Sequence, residues 1–107
     1  MDYEITPEEL KSLRDAGNDV TLVDVREPWE FAAAKIADSK HIPMSDIPAR
    51  FSQEIDPGGH IVVVCHHGVR SMNVTVWLRR QGFEKVQSLA GGIDRWARQI
   101  DPKVPVY

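Results

Sequence analysis

Three short segments read as strands along the chain, at residues 21–25, 61–64 and 86–89. Residues 21–25 have almost no polar interruption, which is typical of a strand covered on both faces, and residues 61–64 are entirely apolar. The longer stretches between them carry helix signals. This alternation predicts an α/β fold with a largely parallel sheet, and the most hydrophobic run, 61–64, is expected at its centre.

The first helix has clear start and stop signals. Thr6 can cap a helix that begins at Pro7, Glu9 completes a capping box, and Gly17 suits the end of this helix. Pro28 opens a second, brief helix that runs through Trp29, Phe31 and three alanines.

The remaining segments are assigned in the same way. A helix is expected over 71–81, and its core-facing stripe is predicted to include Met72, Val76 and either Leu78 or Arg79. The other predicted features are a short strand at His41 and Ile42, one or two helical turns over 45–55 interrupted by Pro48, a turn over 56–59, a helix over 93–100 and a proline-containing tail over 101–107.

Composition narrows the classes of function. The 107 residues suffice for one compact domain, spanning 1–107, and are too few for two. A net charge of −3 argues against nucleic acid as the main partner, since phosphate contacts need a basic face. No apolar run approaches the roughly 20 residues that span a bilayer, so no membrane association is expected. The first residues are acidic where a secretory signal would be basic and then apolar, which predicts a cytoplasmic location.

The single cysteine, Cys65, excludes an internal disulfide and a metal site built on several cysteines. The adjacent histidines His66 and His67 have the wrong spacing for two ligands on one helix face. We therefore predict no structural zinc site.

Cys65 directly follows the central apolar run, and residues 66–71 lead from it into a helix. This position is the carboxyl end of a strand beside a helix N-terminus, where open α/β sheets bind ligands. Free backbone N–H groups there can stabilise a thiolate or the terminal sulfur of a persulfide. Gly68 allows a tight loop, Arg70 offers a positive charge to an incoming anion, and Ser71 suits the start of the helix.

Two alternatives remain for these residues. A lone cysteine after a strand is commonly a small buried hydrophobic residue, but such a cysteine does not need a glycine, an arginine and a serine three, five and six residues later. The histidines His66 and His67 are either solvated loop residues or groups that tune the charge around a substrate through partial protonation.

The loop resembles the active-site loop of rhodanese-like sulfurtransferases, whose pattern is Cys-x-x-Gly-x-Arg-Ser; here it reads Cys65, His66, His67, Gly68, Val69, Arg70, Ser71. Three more motifs of that family follow the right order, at residues 23–31, 41–43 and 89–96, so the resemblance covers about residues 5–100.

One segment departs from the family pattern. Lys35 stands where a histidine is usual, and Asp38 and Ser39 stand where the family has a Gly-Ala pair. Because aspartate tolerates left-handed backbone better than most residues, the turn can survive the change.

The resemblance implies a parallel five-stranded sheet with helices on both faces. It also implies that Cys65 attacks the outer sulfur of thiosulfate or a similar donor, releases sulfite, and passes the sulfur to cyanide, a thiol or an acceptor protein, without a metal or organic cofactor. Asp24 and Arg26 lie at the end of their strand, and we expect them to orient the loop or screen its charge. The alternative for this pair is a surface ion pair of little energetic value.

An alternative function is a persulfide relay that takes sulfur from a protein such as a cysteine desulfurase and serves molybdopterin, thiamine or tRNA thiolation. Residues 44–48 and 100–107 favour it, because they are similar to rhodanese domains fused to activating enzymes for ubiquitin-like sulfur carriers. A non-catalytic binding module is disfavoured by the presence of Cys65. A phosphatase of the cell-cycle type has five residues between cysteine and arginine, whereas four separate Cys65 from Arg70 here, which suits sulfur better than phosphate.

Overall fold

The computed structural model describes every residue, 1–107. Its elements are, in chain order, β1 (Glu4–Ile5), α1 (Pro7–Asp15), β2 (Val20–Asp24), α2 (Pro28–Ala33), β3 (Lys40–His41), a 3-10 turn (Met44–Asp46), α3 (Ile47–Glu54), β4 (His60–Val64), α4 (Val69–Arg80), β5 (Val86–Leu89) and α5 (Gly92–Gln99). No helix among them has both the length and the apolar character needed to cross a bilayer.

The five strands form one parallel sheet in the order β1-β5-β4-β2-β3. The strand β4 lies at the centre, as its sequence predicted. Asp24, the last residue of β2, is paired with Val64, the last residue of β4. The loops that follow β2 and β4 therefore leave the sheet at the same edge, where ligands bind in folds of this kind.

Helices cover both faces of the sheet, which confirms the predicted fold class. Successive side chains of a strand point to opposite faces. On one face Ile61, Val63 and Cys65 join a buried cluster with residues of α3 and α4. On the other face Val62 and Val64 pack with residues of α1 and α5.

The helix α4 begins at Val69, two residues before the predicted start. Its buried stripe is also different, since Met72 and Val76 are only half-buried. The buried side chains have the spacing i, i+3, i+4, i+7 of one helix face, and they are Ser71, Val74, Thr75 and Leu78. The prediction was right for Leu78 and wrong for Met72 and Val76, because it followed hydrophobicity and this stripe includes two hydroxyl side chains.

Pro48 does not interrupt a helix but lies in the first turn of α3, where a missing N–H costs nothing. Asp38 has the left-handed backbone that its sequence position predicted, with φ +67°. The strand β1 was not predicted, because two residues are too few to show a period.

Candidate active site

The sulfur of Cys65 lies almost entirely inside the protein, with 1% of the residue exposed. Its Sγ accepts a hydrogen bond from the backbone N–H of Gly68 at 3.0 Å, and the thiol donates to Ser71 Oγ at 3.2 Å. Gly68 has φ +111°, a conformation that glycine adopts readily, and this turns the loop back over the sulfur. Of the several backbone donors that the sequence predicted, one reaches the thiol.

Ser71 does not begin the helix, as its sequence position had suggested, because Gly68 is the capping residue of α4. Its hydroxyl instead contacts Ser88 Oγ at 2.6 Å and the Gly68 carbonyl at 3.2 Å. Both serines are fully buried. Ser71 therefore links the sulfur to β5 and fixes the first turn of α4 against the sheet.

The N-terminus of α5 holds the other side of the loop. The backbone N–H groups of Ile93 and Asp94 donate to the carbonyls of Cys65 and His66, at 2.8 and 3.1 Å. A helix N-terminus has free N–H groups available for such bonds. Gly92 makes the approach possible, because a Cβ there would lie 2.3 Å from the His66 carbonyl oxygen.

Arg70 does not point a free positive charge at the loop. Its Nη1 and Nη2 bind the two carboxylate oxygens of Glu30, at 2.7 and 2.9 Å. Glu30 is 4% exposed, and the hydrogen bonds from Arg70 lower the pKa of its carboxyl to about 2. Sequence reasoning did not single out Glu30, although it stands inside the 23–31 motif and completes a capping box with Glu27 at the start of α2.

Tyr107 was also missed. Its hydroxyl donates to Glu30 Oε2 at 2.8 Å and accepts from Arg26 Nη1 at 2.7 Å. The phenol ring stacks on the imidazole of His66, with the ring centres 4.0 Å apart and the planes 8° apart. Burial raises the pKa of the hydroxyl to about 12, so it keeps the proton that it donates. The tail residue thus contacts both the cysteine loop and the carboxylate that holds Arg70.

Asp24 and Arg26 form an ion pair, but not on the surface, because both residues are completely buried. Arg26 Nη2 lies 2.7 Å from Asp24 Oδ2, and its Nε lies 2.9 Å from Oδ1. The surface alternative is therefore wrong. The pair reaches the loop indirectly, through Tyr107 and then Glu30.

The side chains that could hold a metal ion are His66, His67 and Asp94, with one ligating atom of each within 4.8 Å of the others. These side chains also contact other groups in the protein. The two histidine rings pack against each other, with their centres 4.0 Å apart and their planes 30° from parallel. Asp94 Oδ2 already accepts a hydrogen bond from Arg98 at 3.1 Å.

The Arg70–Glu30 pair leads to a prediction about acid stability. The contribution of the Glu30 carboxylate to the free energy of unfolding is fully present above the ordinary carboxyl pKa of 4.5. It is lost as the pH falls towards about 2, the pKa of Glu30 in the folded protein. Glu30→Gln cannot ionise and lacks this dependence. We expect the difference in free energy of unfolding between the wild type and Glu30→Gln to be constant above about pH 5 and to shrink below it. Urea unfolding of both proteins across this pH range measures the difference in free energy of unfolding. A difference that stays constant down to about pH 2 contradicts the prediction.

Comparison with known proteins agrees with this geometry. The family profile described as a rhodanese-like domain matches residues 6–99. The chain belongs to the rhodanese-like family. A rhodanese-like domain protein from Staphylococcus aureus superposes on it with a TM-score of 0.85 and 30% sequence identity, over 99% of each chain. The rhodanese fold inferred from the four motifs is thereby confirmed.

Curated relatives indicate what this rhodanese-like chain does. The thiosulfate sulfurtransferase GlpE of Pseudomonas fluorescens is 41% identical over 86% of the chain and 82% of that protein. The adenylyltransferase and sulfurtransferase MOCS3-1 of Zea mays is 35% identical over 96% of the chain, which spans only 23% of the maize protein. This rhodanese-like protein is a sulfurtransferase.

Proposed function

We propose that Cys65 carries the transferred sulfur as a persulfide and that thiosulfate is a donor. The observation that carries the proposal is the hydrogen bond from Gly68 N–H to the Cys65 sulfur, at the start of α4. A donor in this position stabilises negative charge on the Cys65 sulfur, both on the thiolate that attacks the donor and on the thiolate that leaves when the acceptor takes the sulfur. The 41% identity to a thiosulfate sulfurtransferase supports thiosulfate as the small donor.

In the first half-reaction the Cys65 thiolate attacks the outer sulfur of thiosulfate. A bond forms between the two sulfurs, the bond from the outer sulfur to the sulfonate breaks, and sulfite leaves with the electron pair. Cys65 then carries one added sulfur that bears the negative charge. The Ser71 hydroxyl lies 3.2 Å from Sγ, next to the atom that forms the new bond.

In the second half-reaction a nucleophilic acceptor attacks the terminal sulfur of the persulfide. With cyanide the product is thiocyanate, and with a thiolate the product is a new persulfide on the acceptor. In both cases the bond to Cys65 breaks and the Cys65 thiolate leaves, so the enzyme returns to its first state. The protein supplies hydrogen bonds and position, and no oxidant is needed because sulfane sulfur moves at constant oxidation state.

The test of this proposal is the intact mass of the protein after incubation with thiosulfate. We expect a gain of one sulfur atom in the wild type, its loss after treatment with cyanide, and no gain in Cys65→Ser. Absence of any gain from thiosulfate, a cysteine-desulfurase donor or another persulfide would overturn the proposal. Hydrolysis of an aryl phosphate without sulfur uptake would favour the phosphatase alternative.

A relay between proteins is the second candidate, and the surface around the loop supports it. Val69, within the loop, is 73% exposed, and Trp29, which packs edge-on against Tyr107, is 65% exposed. Apolar and aromatic side chains exposed beside a reactive group are suited to contact with a protein. Sulfur uptake from a cysteine desulfurase that is much faster than uptake from thiosulfate would favour the relay.

A further inference from the structure

The arginines of the cysteine loop, of the segment after β2 and of α5 are each paired with a carboxylate. Arg70 binds Glu30, and the other three guanidinium groups have their own partners. These pairs are Arg26 with Asp24 at 2.7 Å, Arg98 with Asp94 at 3.1 Å, and Arg95 with Glu8 at 3.6 Å. The loop therefore offers hydrogen-bond donors to an anion, but no unpaired guanidinium.

We infer that Glu30 is a specificity-determining residue, which weakens the capture of dianionic sulfur donors by neutralising Arg70. This inference rests on the proposed function of Cys65. Glu30 weakens the capture of thiosulfate more than it weakens the capture of donors with less negative charge, including persulfides delivered by a protein.

The position of Arg70 makes it the relevant charge. It follows Cys65 by five residues in the same loop, and its partner Glu30 also binds Tyr107, whose ring stacks on His66 directly after Cys65. The Arg70–Glu30 pair therefore lies against the loop that holds the sulfur. Both of its terminal nitrogens are occupied by Glu30, so an entering anion meets a neutral pair.

The position of Glu30 is fixed from three sides. Its carboxylate accepts from Arg70, from the Tyr107 hydroxyl at 2.8 Å and from the Glu27 backbone N–H at 3.0 Å. The Glu30 carboxylate accepts every one of these hydrogen bonds, and the residue is almost completely buried. Thiosulfate therefore cannot turn Glu30 aside at little cost, and the neutral pair is the state that it encounters.

The expected charge effect follows from Coulomb's law. The repulsion between Glu30 and a bound anion scales with the charge of the anion, so it is about twice as large for thiosulfate as for a monoanionic thiosulfonate. Glu30→Gln removes this repulsion and frees the Arg70 charge. Glutamine also keeps an acceptor oxygen for the α2 capping box, in which it is an accepted residue.

The experiment compares kcat/KM for thiosulfate and for an alkyl thiosulfonate, which carries the same transferable sulfur with one negative charge less. In Glu30→Gln we expect kcat/KM for thiosulfate to rise about fivefold or more, and the rise for the thiosulfonate to be smaller. The gain with thiosulfate is expected to shrink when salt is raised from about 50 mM to about 500 mM, because salt screens the freed charge.

Glu54→Gln is the matched control. Glu54, the last residue of α3, forms an ion pair with Arg50 of the same helix, at 3.0 Å, and contacts none of the loop residues by a hydrogen bond or ion pair. The same charge is removed, and no change in donor preference is expected. Equal changes for the two donors in Glu30→Gln, or no rise for thiosulfate, overturn the inference.

The wild type gives a second readout that does not depend on a folded variant. With no unpaired guanidinium at the loop, its kcat/KM for thiosulfate is not expected to fall as salt is raised over the same range. A fall of more than about threefold would show a free attracting charge and overturn the inference. Failure of the proposed function is separate, because it appears as a wild type that takes up no sulfur.

Discussion

A chain carrying Cys65→Ser is expected to lose sulfur transfer by about a thousandfold or more, measured as thiocyanate formation from thiosulfate and cyanide. The serine hydroxyl is not ionised near neutral pH and cannot form the persulfide on which both half-reactions depend. The loss is expected in kcat/KM for every donor, because each one delivers its sulfur to the same atom.

The fold of this variant is expected to survive. Serine is nearly the same size as cysteine, and its hydroxyl can still pair with Gly68 N–H and with Ser71, which hold the sulfur at 3.0 and 3.2 Å. Thermal unfolding within a few degrees of the wild type is the control. A folded Cys65→Ser protein that retains more than about a hundredth of the activity would show that another group carries the sulfur.

The parts of the site that could be predicted are those within a few residues of one another. The strand β4, the cysteine after it and the turn at Gly68 lie in one short segment, so their relation is visible in the sequence. The left-handed turn at Asp38 was predictable for the same reason, since it depends on one residue's backbone preference. A backbone N–H donor to the sulfur at the start of α4 was predicted, whereas the contact of Ser71 with Ser88 was not.

The parts that could not be predicted depend on long-range contacts. Arg70 was expected to be free, but its partner Glu30 lies 40 residues earlier in the chain. Tyr107 reaches Glu30 across 77 residues and Arg26 across 81, and nothing near it in the sequence indicates these contacts. Whether a charge is free or paired depends on which loops meet at the edge of the sheet, and that is a property of the folded chain.

The burial of Asp24 and Arg26 also depends on contacts with other segments of the chain. Arg26 is enclosed because its guanidinium donates to backbone carbonyls of Glu30 and Ala34 as well as to Asp24 and Tyr107. A buried charge is tolerated when its hydrogen-bonding groups are satisfied in this way. The sequence placed the pair at the right edge of the sheet, and the surrounding elements determine that the pair is internal.

Gly92→Ala is expected to lower the free energy of unfolding by about 3 kcal/mol or more and to reduce activity at least about tenfold. The new Cβ would lie 2.3 Å from the His66 carbonyl oxygen and 2.5 Å from the Cys65 carbonyl oxygen, so backbone must move. That movement stretches the hydrogen bond from Ile93 N–H to the Cys65 carbonyl and displaces the loop that holds the sulfur. Urea unfolding and the thiosulfate assay measure the two effects.

Gly17→Ala separates this collision from simple backbone strain. Gly17 has φ +79° and Gly92 has φ +62°, but a Cβ at Gly17 would meet nothing within 4 Å. Gly17→Ala is therefore expected to cost only about 1 kcal/mol and to leave the kinetics unchanged. Equal losses of stability in the two variants, with full activity in Gly92→Ala, would show that the contact between α5 and the cysteine loop does not hold the sulfur in place.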